Sequence, residues 1–175
     1  MSTRALVHIY DESKVIATIY HHHDGYPSHL GKLLMDLTDN GRMKVVNGYS
    51  GDDNTPGAIN GMGNLAAYLV TGLTILGASH HVGFMTRMAS KRGTAKERKA
   101  DSITVPEALK NCIGGVYLKD PGASDCGEEW TYRISSRGPM LTLIVDDSEG
   151  RWFGGAMSEF NTESEDRQAA AGKGV

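Results

Sequence analysis

Between Arg4 and Tyr10 the side chains alternate, with Ala5, Val7 and Ile9 on one face and Leu6, His8 and Tyr10 on the other. The polar turn Asp11–Lys14 separates this run from a second β-branched and aromatic one, Val15–Tyr20. Together they predict an N-terminal β-hairpin. Apolar residues on both of its faces predict that both sides are partly covered. His21–Pro27 is dense in turn formers, and Ser28 is a candidate N-cap. Leu30, Leu33, Leu34 and Leu37 then recur at i, i+3, i+4 and i+7. That stripe predicts an amphipathic helix from Ser28 to about Asn40, closed by the left-handed stop Asn40-Gly41.

Met43–Val46 reads as a short extended piece and Asn47–Gly57 as loop. A second helix is expected to start near Asn60–Gly63 and to end at about Leu76. Leu65, Ala66, Ala67, Tyr68, Leu69, Val70, Leu73, Ile75 and Leu76 leave it almost no polar face. At roughly 15 residues it falls short of the ~20 that span a bilayer. A helix apolar all round needs cover on two sides. The sheet supplies one side, and a second subunit is the expected cover for the other. Aspartate at Leu69 or Leu73 is accordingly expected to break an oligomer.

From Ser79 to Asp101 the character changes: Arg87, Lys91, Arg92, Lys96, Arg98 and Lys99 stand against Glu97 and the closing Asp101. This is either a mobile basic surface loop or an arm that neutralises a phosphorylated ligand. Pro106–Cys112 suggests a short helical turn. After Gly114-Gly115 the period returns to two, with strands expected at Val116–Lys119, Trp130–Ile134, Met140–Val145 and Arg151–Phe153. Asn161–Val175 reads as a flexible tail. The sum is an α+β fold: an antiparallel sheet with two main helices packed on one face, the N-terminal hairpin first. Residues 1–160 are expected to form a single α+β domain with a basic insertion at about 79–112, and 161–175 the tail.

Composition narrows the function classes. The chain has 175 residues and 18 Lys plus Arg against 21 Asp plus Glu, a formal net charge of -3. No general footprint for duplex nucleic acid or an anionic membrane is expected from that balance. The 22 glycines lack a collagen period and point to tight turns and close backbone approaches. Two cysteines, Cys112 and Cys126, are too few for a disulfide scaffold or a four-thiolate zinc site. Met1–Arg4 carries one cation and no long apolar run, so no secretory signal is expected, and the chain reads as reduced and cytoplasmic.

Candidate chemistry is sparse. His21-His22-His23, with His8 and His29, tempts a metal reading, but adjacent strand residues point to opposite faces and no zinc-ligand spacing is present. There is no G-x-S-x-G elbow. Asp125, Glu128 and Glu129 around Cys126 oppose thiolate formation and make it a poor nucleophile. No catalytic role and no cofactor are therefore expected. Gly61-Met62-Gly63-Asn64-Leu65-Ala66 matches a dinucleotide pattern without the preceding strand or the later ribose-binding acid. It suits either a close-packed helix start or an anion site made of exposed backbone N–H groups. Arg133 and Arg137 flank an expected Ser-Ser-Arg-Gly turn, and Arg151 opens a later one. Such arginines are either ordinary surface charges or bidentate grips for phosphate. Tyr26, Tyr117, Trp130 and Trp152 can stack on a base or fill the core.

Several segments occur in one order: Ser2–Tyr10, Thr18-Ile19-Tyr20, Asp24–Ser28, Leu30-Gly31, Val46-Asn47-Gly48, Asn60–Gly63, Leu65-Ala66-Ala67 and Asp125–Glu129. Over about residues 3–70 and 115–160 the run resembles the phage anti-defence proteins of the first Thoeris-blocking type. That resemblance implies a sponge that sequesters cyclic ADP-ribose isomers made by bacterial TIR-domain enzymes, in the host cytosol and without chemistry. It also implies homo-oligomers, from dimers up to hexameric rings, with pockets between subunits and in some members a second site for cyclic oligonucleotides. The basic stretch at about 79–112 and the tail after Phe160 depart from it. On this reading Tyr117 stacks on the base, and Arg133 and Arg137 hold phosphate. Asp24 takes a ribose hydroxyl or the adenine amine, and Asn60 and Met62 line the pocket. The alternatives are a nucleotide-processing enzyme and a phage structural or protein-interaction module.

Overall fold

The computed structural model describes residues 3–46, 58–90, 110 and 115–164, the side chains of 80–90 excepted. The hairpin forms as its alternation requires: β1 (Ala5–Asp11) pairs antiparallel with β2 (Lys14–His21), Leu6 opposite Tyr20 and His8 opposite Thr18. A bulge falls between Ile9 and Tyr10. β3 (Lys44–Val46) and β4 (Ala58–Asn60) make a small separate parallel pair. β5 (Val116–Lys119), β6 (Trp130–Arg137), β7 (Met140–Asp147) and β8 (Gly150–Ala156) join the hairpin. The six-stranded sheet has the order β5-β2-β1-β6-β7-β8, antiparallel except where β6 runs parallel to β1.

Directly opposed residues share a face. Register therefore puts Ala5, Val7 and Ile9 on the same face as Ile19, Tyr132, Ile134, Leu143, Val145 and Phe153. All of these are buried in one cluster with Leu30, Leu34, Met62, Leu65, Leu69 and Leu73 from the helical segments. Tyr132 closes this core from the sheet side: its buried hydroxyl donates to the Gly25 carbonyl at 2.9 Å.

The first helix starts differently from expectation. Pro27–Gly31 winds as a wide π-type turn with Tyr26, not Ser28, in the capping position, and regular α1 covers only Lys32–Leu37. Proline at the first position presets φ and needs no N–H partner, so the turn begins one residue before the serine. The left-handed stop is present: Asp39, Asn40 and Gly41 have φ of 51°, 53° and 72°. A side chain at Gly41 would also meet the backbone of Met157 and Ser158 at 2.5 Å.

The second helix, α2, spans Gly61–Ser90, 30 residues rather than about 15. Gly77 and the change to basic composition do not end it, because neither removes a backbone donor as proline would. The first part of the expected basic loop is thus helical, while residues 91–109 and 111–114, with Cys112, lie outside the described residues. The stretch Gly61–Ser79 has a mean hydropathy of 1.3 and is long and apolar enough to cross a bilayer, a test that core helices also pass. Met62, Leu65, Ala66, Leu69 and Leu73 form its buried stripe, and Tyr68 and Ile75 are exposed. Leu69 and Leu73 therefore belong to the core, not to the face expected to meet a second subunit.

Ser135 and Ser136 lie within β6, and the turn after it is Gly138-Pro139, with Gly138 at φ 57°. The cross-strand bond between the Ser135 and Thr142 hydroxyls, 2.6 Å, favours strand over turn there. The loop at Asn47–Gly57 and the tail beyond Ser164 fall outside the described residues.

Candidate functional site

The second face of the sheet carries the polar chemistry. Across it, register forms one row of Tyr117, Tyr20, Leu6, Thr131 and Asp146, and a neighbouring row of Lys119, Thr18, His8, Arg133 and Ile144. Tyr20 anchors one end of this arrangement. It is 8% exposed, its hydroxyl is 2.9 Å from His22 Nδ1, and the Lys119 ammonium lies 5.5 Å from its ring centroid. Beside it, at 6.2 Å between centroids, stands Tyr117, which is 46% exposed. A fixed aromatic ring thus supports a presented one, with a cation alongside. That combination suits a stacked base and a nearby negative charge.

At the other end Asp146 joins two guanidinium groups. Its Oδ1 accepts from Arg151 Nε at 2.6 Å and its Oδ2 accepts from Arg133. Arg133 is therefore committed in part to an ion pair within the sheet, and its fork is not wholly available for a phosphate.

Between these two groups the chain from β5 to β6 passes over the sheet. Gly122 N–H donates to Thr18 Oγ1 at 2.9 Å, and Thr18 Oγ1 lies 3.0 Å from His8 Nδ1. Glu128 turns back to accept from Cys126 N–H at 2.7 Å. Burial lowers the pKa of His8, the Arg133 charge lowers it further, and Glu128 opposes both. His8 is accordingly a neutral structural partner of Thr18. Cys126 is partly exposed, and its thiol donates to the Ser124 carbonyl at 3.7 Å.

The six residues expected to form the site do not converge within one protomer. Tyr117 and Arg133 lie three strands apart, about 14 Å at ~4.8 Å per strand. Asp24, at φ 52°, occupies the turn after β2, near where β1 and β6 begin. Burial raises the Tyr26 pKa, and the charge and side-chain hydrogen bond of Asp24 add to that rise. Arg137 is exposed at the far end of β6. Asn60 ends β4, whose partner β3 bonds to the same end of the sheet through Val45 N–H and the Pro139 carbonyl, 2.9 Å. Met62 is 3% exposed within the core cluster and presents no surface to a ligand.

The glycine pair at the start of α2 has a split explanation. Gly61 sits at φ 75°, where a left-handed turn from β4 into the helix needs it. A Cβ on Gly63 would meet nothing within 4 Å, so close packing does not account for Gly63. A short strand does precede the motif, contrary to the loop expected there, but it belongs to the small β3–β4 pair.

The histidines divide between the faces. His21 is 3% exposed, its Nδ1 has no hydrogen-bond partner, and the His29 ring lies 6.5 Å away. Burial, followed by the His29 charge, lowers its pKa to about 4. His22 and His23 meet edge-on at 4.5 Å. Among the described residues no group of three or more His, Cys, Asp or Glu side chains could hold a metal ion.

Tyr20, His22 and Lys119 were not assigned to the ligand site from the sequence, although His22 was weighed there as a metal ligand and rejected. What brings Tyr20 and Lys119 together is the pairing of β2 with β5, which are separated by almost a hundred residues of chain. Compared with protein-family models, with characterised proteins and with solved structures, the chain matches none.

Proposed function

We propose that this protein captures an adenine-containing cyclic nucleotide of the cyclic ADP-ribose class and holds it without cleaving it. It would act as a homo-oligomeric anti-defence sponge in the bacterial cytosol. The observation that carries this reading is Tyr117, presented beside a buried Tyr20 and flanked by Lys119. The reading takes both helices to cover the face of Ala5, Val7 and Ile9, which leaves the Tyr20–Tyr117 row for ligand. The sequence resemblance to Thoeris-blocking proteins supplies the nucleotide class.

Magnitudes support a site shared between copies. A sponge works by affinity alone, and a Kd of about 10 nM requires about 11 kcal/mol. One base stack contributes about 1–3 kcal/mol and each charge-assisted hydrogen bond about 1.5–3. The Tyr117–Lys119 cluster of one protomer falls short of that total. Asp24, Asn60, Arg133 and Arg137, which are spread along the molecule, contribute to the same ligand only across a subunit boundary. Arg133 would meet phosphate by giving up part of its hold on Asp146.

Calorimetric titration with cyclic ADP-ribose isomers tests the reading. Saturable binding is expected for the native chain. Tyr117→Ala should weaken it by about 1–3 kcal/mol with the melting temperature unchanged, since the ring is largely outside the core. Absence of binding by the native chain to every adenine nucleotide offered would overturn it.

A further inference from the structure

We infer that His21 and His29 together bind one transition-metal ion of the zinc class, pinning the end of β2 to the π-type turn that follows it. Histidines adjacent on a strand point to opposite faces, but these two come from different elements. Register puts His21 opposite Ala5 and Val116, on the core-facing side of the sheet. His29 sits in the turn Pro27–Gly31 and is half-buried. The two rings stand 6.5 Å apart between centroids, tilted by 51°.

His21 carries most of the weight. Its side chain is almost wholly buried, and its Nδ1 has no hydrogen-bond partner. Its ring also makes a hydrogen bond to the backbone of His23, of the kind that favours a protonated nitrogen, so a ring N–H donates to that carbonyl. With Nδ1 unpartnered the donor is Nε2, which leaves the lone pair on Nδ1. A buried acceptor without a donor costs about 1–3 kcal/mol, and an ion or a water is its ordinary resolution. Metal-ligating histidines are oriented in this same way, one nitrogen donating to a carbonyl and the other facing the metal. Zinc–nitrogen bonds of about 2.0–2.1 Å put two imidazole nitrogens on one ion at most about 4.2 Å apart. Rings with the observed separation approach that distance when their nitrogens face each other, and half-buried His29 can turn to do so. Burial keeps His21 neutral, so no proton has to leave it before a metal binds. The charge of Asp24, on the same turn, reaches His21 and favours a cation there. Imidazole donors suit zinc, copper or nickel and not magnesium or calcium. Two protein nitrogens leave the remaining positions to water, so the site is weaker than a four-ligand structural one.

Calorimetric titration of the tag-free full chain with zinc chloride, in a non-chelating neutral buffer and without nucleotide, tests the site. One zinc per chain is expected. His29→Gln, at a half-buried position that tolerates the change, should weaken binding at least about tenfold. His23→Gln should leave it unchanged, since His23 contributes only its backbone carbonyl. That control separates the site from zinc held by His22 and His23, whose rings meet edge-on at 4.5 Å. Nitrogen NMR of the imidazoles gives the direct readout: the His21 Nδ1 resonance should move on addition of zinc and stay in place with magnesium. Absence of saturable zinc binding would overturn the inference and leave water as the partner of Nδ1. Binding that survives His29→Gln, is lost with His23→Gln, or leaves His21 Nδ1 unmoved would place the ion elsewhere and overturn it equally. No nucleotide takes part, so failure here leaves nucleotide capture standing, and a chain that holds zinc but no nucleotide shows the reverse.

Discussion

His21 combines burial, an unpartnered ring nitrogen and a second histidine nearby, and each of these disfavours its charged form. Its folded-state pKa, about 4, lies below the ordinary 6.5, so a proton binds the unfolded chain more tightly. The stability this neutral histidine preserves is complete above about pH 6.5 and is lost as pH falls toward 4. The loss approaches roughly 3 kcal/mol. Urea midpoints at pH 7 and pH 4.5 should therefore diverge for the native chain. His21→Gln should flatten most of that slope and leave a smaller one from His8, which burial shifts in the same direction. An unchanged slope in the variant would show that His21 does not control it. At this scale the sequence was a partial guide. Asp146, the partner of Arg133, sits on the neighbouring strand in a register that local alternation does not encode. Met62 lies inside the core because the buried stripe of α2 begins there, one turn earlier than its apolar run suggests.

Elements were legible wherever their pattern is local. The hairpin, β5 and the starts of β6 and β7 follow from alternation. The stop at Asn40-Gly41 follows from residues that tolerate positive φ. The reach of α2 to Ser90 was not legible, since composition changes at Ser79 while the backbone bonding does not. Nor was the parallel pairing of β1 with β6, which depends on where a long connection returns. The stripe on α2 carries its own prediction. Leu73 is fully buried, so Leu73→Asp places an unpaired charge in the core and should cost at least about 3 kcal/mol. Tyr68→Asp, on the exposed side, should leave the fold intact. Thermal melts followed by circular dichroism check this, and an unperturbed Leu73→Asp melt would mean the helix is rotated from the orientation described.

As a whole the molecule is a sheet with one face buried in the core cluster and the other carrying aromatic, cationic and hydroxyl side chains. With a net charge of -3, the proposed attraction for an anionic ligand would have to come from local cations such as Lys119 and not from the overall field. Capture without chemistry is most directly tested by mass balance. Excess protein is incubated with a cyclic ADP-ribose isomer, small molecules are quantified by mass spectrometry in the ultrafiltrate, and the protein is then heat-denatured and the release measured. Free ligand should disappear on mixing and return on denaturation at its original mass and in full amount. Ligand that never leaves solution, or that returns hydrolysed, would contradict it.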